Sequence, residues 1–117
     1  MNFRPFTVTG IRFTTAGGWN HGNYSEPASE EISFTAGVQQ PTPEDLELLE
    51  EGKRKQKSIV IFTEYNLQIE SETEAEEKIP ADRIEWENDW YEVTAVKPYR
   101  TMFPGNKKAI CVKIENT

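Results

Sequence analysis

Few residues in this sequence are of a type that could do chemistry. His21 is the only histidine and Cys111 the only cysteine among the 117 residues. His21 lies in a Gly/Asn-rich stretch without Cys or carboxylate partners at the spacing of a zinc site. No Ser, Cys or Thr signature accompanies it, as a general base would require. We expect a surface histidine at this position. Because Ile110 and Val112 flank Cys111, we expect a thiol packed in a strand.

The glutamates are the remaining candidates. Five of them crowd into eight residues: Glu70, Glu72, Glu74, Glu76 and Glu77. Glycosidase-like acid–base pairs need carboxylates held at fixed separations on rigid elements, and this run has no large apolar side chain to hold it. It also lacks the Asp/Asn/Gly spacing of an EF-hand loop. Phosphate-cradling, dinucleotide and metalloprotease motifs are absent from the sequence. The sequence therefore predicts a protein that is not an enzyme and that uses no cofactor or metal.

The composition limits the partners. The net charge is -7, so binding of a phosphate backbone through a basic surface is not expected. An acidic surface could instead let DNA pass without sticking. A single cysteine cannot form an intramolecular disulfide, and no apolar run resembles a signal peptide or a membrane span. We expect a soluble product that assembles in the cytoplasm and has no membrane partner.

The pattern of apolar residues predicts one mainly β domain over residues 1–117, with about six strands, one short helix and long loops. The strands are expected at 6–15, 30–38, 58–63, 82–87, 90–96 and 108–115. Thr42 as N-cap and Pro43 at the first helical position indicate a helix over 43–51. Hairpin connections would make the sheet antiparallel, and closing it into a small barrel or sandwich would hide its edges.

Alternation along these strands predicts the core. We expect one shared core made of Ile59, Ile61, Ile84, Trp86, Val93, Ile110 and Val112. The helix is too short to be stable alone. It should therefore cover one opening or edge of the barrel through Leu46 and Leu49.

Three segments are candidate contact surfaces. Trp19 and Tyr24 lie in a long hairpin loop over 16–29, either packed back on the core or held out for a partner. The basic residues are Lys53, Arg54, Lys55 and Lys57. They form either a solvated link or a partner for acidic segments of a neighbouring subunit. The acidic loop over 64–81 is either a solvated connector or a surface that orders only on assembly. Such a surface would line a channel or meet that basic segment.

Two stretches together carry a family resemblance. Residues 37–54 read G-V-Q-Q-P-T-P-E-D-L-E-L-L-E-E-G-K-R, and residues 82–93 read D-R-I-E-W-E-N-D-W-Y-E-V. A strand, this short helix, a strand, an acidic loop and the second motif follow in that order. Over about 37–96, the chain resembles the head-completion, or head-tail joining, proteins of long-tailed bacteriophages. That family usually carries Gly in the turn before Y-E-V, where this chain has Asn88-Asp89.

The resemblance implies a β-barrel subunit of the virion neck. Such subunits form a homo-oligomeric ring below the portal, close the DNA-filled head and present a docking surface to the tail. The implied partners are the portal or an adaptor, the tail proteins, and DNA that passes without sequence recognition. One alternative is another phage ring, such as a tail terminator or baseplate component. Another is a small non-viral β-barrel binding module, which would stay monomeric and have a defined pocket.

Overall fold

The computed structural model describes residues 6–20, 22–53, 56–72, 77–98 and 107–114, with only the backbone at 18–20 and 23–25. Within these residues the strands are β1 (Phe6–Phe13), β2 (Gly18–Asn20), β3 (Asn23–Ser25), β4 (Ser29–Gln39), β5 (Ser58–Thr63), β6 (Ser71–Glu72), β7 (Lys78–Ile79), β8 (Arg83–Trp86), β9 (Asp89–Pro98) and β10 (Lys107–Lys113). Helix α1 (Pro43–Glu47) and a 3₁₀ turn (Glu51–Lys53) lie between β4 and β5.

Six strands form a closed barrel in the order β1-β4-β5-β10-β9-β8, and β8 pairs back to β1. All neighbouring strands are antiparallel. The mainly β fold, with about six strands in a small antiparallel barrel and one short helix, is confirmed. The apolar strand β5 is paired on both sides, as expected for a strand that is hydrophobic on both faces.

Alternate residues of the barrel strands fill its interior. The buried cluster consists of Val8, Ile32, Phe34, Ala36, Ile59, Ile61, Leu67, Ile84, Tyr91, Val93, Ala109 and Cys111. The predicted core positions Ile59, Ile61, Ile84 and Val93 are all within it, and Trp86 packs against it half-buried. A six-stranded barrel is narrow, so these side chains occupy the lumen as a core.

Ile110 and Val112 are buried, but the prediction that they share the barrel core was wrong. They form a second cluster with Val60 and Leu49 on the outer wall of the barrel. The inward positions of β10 belong to Ala109 and Cys111. Because β10 is covered on both faces, its apolar pattern does not reveal which face is inside.

The helix segment packs on the outer wall beside β5 and β10 instead of covering an opening. Leu49 is buried there, Leu46 is partly buried against the same cluster, and Leu48 is 49% exposed. The helix ends at Glu47, earlier than predicted, and Leu49 reaches the wall from the turn after it. Docking therefore depends on residues at and beyond the helix end.

A capping box begins the helix. Asp45 N donates to Thr42 Oγ1 at 3.3 Å, and Thr42 N donates to Asp45 Oδ2 at 2.8 Å. Asp45 also forms an ion pair with Lys108 of β10, with both side chains largely buried. Burial alone would raise the pKa of the Asp45 carboxyl, but hydrogen bonds from Lys108 and Thr42 outweigh it and lower that pKa. The ion pair fastens the helix start to the barrel wall.

The two ends of the barrel differ in their connections. At one end, which we call the loop end, β1, β5 and β9 finish while β4, β8 and β10 begin. At the other, the turn end, β8 and β9 are joined through Glu87 and Asn88, with φ of 49° and 69°. Two left-handed residues are the signature of a type I′ hairpin. The turn predicted at Asn88-Asp89 thus lies one residue earlier, and Asp89 already belongs to β9.

Candidate interaction surfaces

Residues 64–68 cross the loop-end mouth of the barrel. They start at β5 and reach Asp82, directly before β8, the strand opposite β5 in the ring. Gln68 N donates to Asp82 Oδ2 at 2.8 Å, and Asp82 N donates to Gln68 O at 2.9 Å. Leu67 is buried in the core, and the Tyr65 ring stacks on Phe34 with centroids 4.8 Å apart. The mouth is closed by the chain itself.

We call residues 64–68 the plug, and the Arg12–Asp82 ion pair holds it in place. Arg12 donates through Nε and Nη2 to the two Asp82 carboxylate oxygens at 3.1 and 2.9 Å, and through Nη2 to Asn66 O at 2.5 Å. Its guanidinium also lies 5.0 Å from the centre of the Tyr65 ring. Hydrogen bonding to Asp82 raises the pKa of the Arg12 guanidinium. This bidentate pair joins β1 to the residue before β8, with Asp82 buried and Arg12 largely buried, so we assign it a structural role.

The plug changes how the acidic loop is understood. We expected residues 64–81 to be a solvated connector or an assembly surface. Leu67 and Ala81, near its two ends, are instead 7% and 1% exposed. Leu67 therefore belongs to the barrel core and Ala81 is buried. Three other residues near the start of the segment are exposed and remain available as a surface: Glu64, Asn66 and Gln68.

The hairpin loop predicted over 16–29 is an extension of the β1–β4 ladder. Thr14 N donates to Ala28 O at 2.8 Å, and Ala28 N donates to Thr15 Oγ1 at 2.8 Å. Strands β2 and β3 continue the arm, with Trp19 directly opposite Tyr24 in the register. We call this extension, residues 14–28, the hairpin arm. The placement of Trp19 and Tyr24 near a hairpin tip agrees with the sequence analysis, and their contact with a partner stays a prediction.

The middle of the acidic segment forms a ribbon of β6 and β7, in which Glu72 is opposite Lys78. Lys78 Nζ lies 3.8 Å from Glu70 Oε1, with both side chains exposed, so this pair adds little stability. Glu72 and Glu77 are exposed. The described flanks pair within one chain, and the role of this segment as a solvated connector or as an assembly surface stays a prediction. Glu74 and Glu76 lie outside the described residues.

Lys53 and Lys57 lie toward the turn end, before β5. Lys53 is half-exposed, and Arg54 and Lys55 lie outside the described residues. Lys57 Nζ is 3.3 Å from Asp89 Oδ2, and Lys113 Nζ is 3.5 Å from Asp89 Oδ1. Hydrogen bonding to Asp89 raises the pKa of Lys57, and the same bond lowers the pKa of the Asp89 carboxyl. Lys57 thus has an acidic partner within its own chain.

Cys111 is the candidate reactive residue that the structure describes, and it is buried. Burial raises the pKa of the Cys111 thiol, which keeps it protonated. His21 lies outside the described residues. Across the described part of the chain, no group of three or more His, Cys, Asp or Glu side chains could hold a metal ion. The same residues include no helix that is long and apolar enough to cross a membrane.

Comparison with known proteins adds no assignment: no protein-family model matches the chain, and no curated protein matches it.

Proposed function

We propose that this chain is a structural subunit of a tailed-phage neck, which assembles into a ring between portal and tail. The ring would close the DNA-filled head and present the tail-docking surface. The order of motifs over residues 37–96 supports this proposal. The observation that carries it is the filled and plugged barrel with a projecting hairpin arm at its plugged end. In such a subunit the loops and strand edges can contact partners, and the side chains inside the barrel form the core that stabilises the fold.

The filled interior also bears on the alternatives. A small-molecule binding module of the β-barrel type holds its ligand in the barrel mouth, and here Leu67, Tyr65 and the Arg12–Asp82 pair occupy the loop-end mouth. This favours an assembly subunit over a monomeric binding module. A tail-terminator or baseplate ring would use the same features. Neighbouring genes for a portal, a major capsid protein and a tail tube would favour the neck.

The decisive experiment changes the hairpin arm. Trp19→Ala together with Tyr24→Ala should leave the barrel folded, because both residues lie beyond the barrel strands. It should reduce tail attachment at least tenfold, since aromatic side chains supply much of the energy of protein interfaces. Asn20→Ala with Asn23→Ala is the matched control on the same two strands. Tail attachment equal to the parent, with a folded subunit, would overturn the role of the arm.

A further inference from the structure

Strand β4 is longer than the strand beside it. Residues 29–36 of β4 pair with β1. On its other side, β4 pairs with β5 only through residues 37–39, because β5 ends at Thr63. Beyond that point, the side of β4 that faces away from β1 has no strand next to it in the described chain. We call residues 29–35 on this side the β4 edge.

The backbone groups along the β4 edge can be assigned by alternation. Thr35 O accepts from Thr63 Oγ1 at 2.9 Å, so the polar groups of Thr35 point away from β1. Backbone groups of alternate residues point to the same side in an antiparallel strand. Those of Ser33, Glu31 and Ser29 therefore point there too. No backbone hydrogen bond between described residues uses them on that side. Such an edge is a template for another strand.

A second edge without a neighbouring strand among the described residues lies at the same end of the barrel. Strand β9 continues past β8: Val93 N still donates to Asp82 O at 3.0 Å, and residues 94–98 run on beyond that bond. We call residues 94–98, on the side facing away from β10, the β9 edge. It carries the exposed Lys97 and no acidic residue.

The two edges are complementary in charge. The β4 edge carries Glu30 and Glu31, which are both exposed, whereas the β9 edge carries Lys97. Pairing of two β4 edges would bring four carboxylates together and is disfavoured. The β4 and β9 edges face the same way round the barrel, so joining them places the two barrels on opposite faces of the ladder. Glu30 is on the same face of β4 as Ile32, and Lys97 is on the opposite face of β9 from Val96, so Glu30 of one copy and Lys97 of the next lie on the same face of the ladder. The observations therefore favour a contact between unlike edges of two copies.

We propose that subunits join by sheet augmentation, with the β4 edge of one copy pairing with the β9 edge of the next. This rests on the proposed ring. Strands β4 and β9 run in opposite directions along the barrel. A rotation about an axis parallel to the barrel preserves these directions, so the joint is an antiparallel ladder. Contacts between unlike surfaces repeat head to tail, and they close into a ring when the rotation between neighbouring copies divides a full turn.

The test removes one edge hydrogen-bond donor without touching the β1–β4 ladder. Ser33→Pro deletes an N–H that points away from β1, and proline is tolerated on an edge strand. Ser33→Ala keeps that N–H and is the matched control. Native mass spectrometry and sedimentation velocity give the ring fraction against concentration, alone and with portal rings. Ser33→Pro should raise the concentration needed for assembly at least tenfold, and Ser33→Ala should behave as the parent.

A charge exchange tests the same joint without proline. Glu30→Lys and Lys97→Glu should each weaken assembly of the folded subunit, and the double variant should recover it. If neither Ser33→Pro nor the exchange changes a ring that the parent forms, the edge proposal is overturned and the proposed neck function stands. If the parent stays monomeric at every concentration and with portal, the proposed ring function itself fails, and the joint with it.

Discussion

Gly10 closes the barrel, and a methyl group there should open it. Gly10 lies opposite Ile84, where β1 meets β8. A Cβ at this position would be 2.2 Å from Arg83 O and 3.3 Å from Ile84 Cδ1. The first neighbour is backbone and cannot rotate away. For ordinary van der Waals contact the two strands must separate by roughly 1 Å.

The size of the expected loss of stability depends on how short the β1–β8 pairing is. β1 and β8 share three residue pairs, so a separation at the middle pair stretches the hydrogen bonds on both sides. Overpacking costs about 1–3 kcal/mol, and each weakened hydrogen bond adds up to about 1 kcal/mol. We expect Gly10→Ala to lower the free energy of unfolding by about 2–5 kcal/mol, a large share of the 5–15 kcal/mol typical of such domains.

Urea denaturation followed by tryptophan fluorescence measures this loss as a lower midpoint. Gly52→Ala is the control, because a Cβ there meets nothing within 4 Å. It should stay within about 0.5 kcal/mol of the parent. Hydrogen exchange should show faster exchange in β1 and β8 of Gly10→Ala. Equal midpoints for the two variants and the parent, with unchanged protection of β1 and β8, would refute the close approach of these strands.

Two further predictions concern buried groups. Asp45→Asn should lower stability at pH 7 by about 2 kcal/mol by removing the charged partner of Lys108. The pKa of Asp45 is lowered in the folded state from its ordinary value of 3.8. The extra stability of the parent over Asp45→Asn is therefore fully present above pH 3.8, and it is lost as the pH falls through the lower pKa of the folded state. A difference in urea midpoint that persists unchanged to pH 2 would contradict this. Cys111 should react with a thiol reagent only when the protein unfolds, so its labelling rate should rise with denaturant; rapid labelling of the native protein would show that the thiol is accessible.

Local patterns were sufficient to predict most strands. Ile32, Phe34 and Ala36 alternate with polar residues, and all three face the barrel core. Thr42 and Pro43 predicted the first residue of the helix correctly, because capping depends on residues that are neighbours in sequence. The hairpin arm followed from its glycines and asparagines. In each case the deciding interactions join residues close in the chain.

Long-range contacts decided what the sequence could not reveal. Arg12 and Asp82 are separated by 70 positions, and only barrel closure brings them together. Leu67 had no periodic context, so its role in the plug left no local signal. The inward face of β10 depends on the helix segment covering its outer face. The extent of α1 was also overestimated, because Leu49 leaves the helix to reach the outer wall.

The positions of the charged segments limit how a ring could use them. Lys53 and Lys57 precede β5 and the ribbon of β6 and β7 follows it, so about 20 Å of strand separates them along the barrel. They can meet only between subunits stacked end to end. Subunits joined through the β4 and β9 edges lie side by side with parallel barrels, which puts every acidic ribbon on one rim of the ring. In such a ring the glutamates face whatever passes or docks at that rim. Side-by-side joining therefore favours the channel or docking role of the ribbon over pairing with a neighbour's lysines.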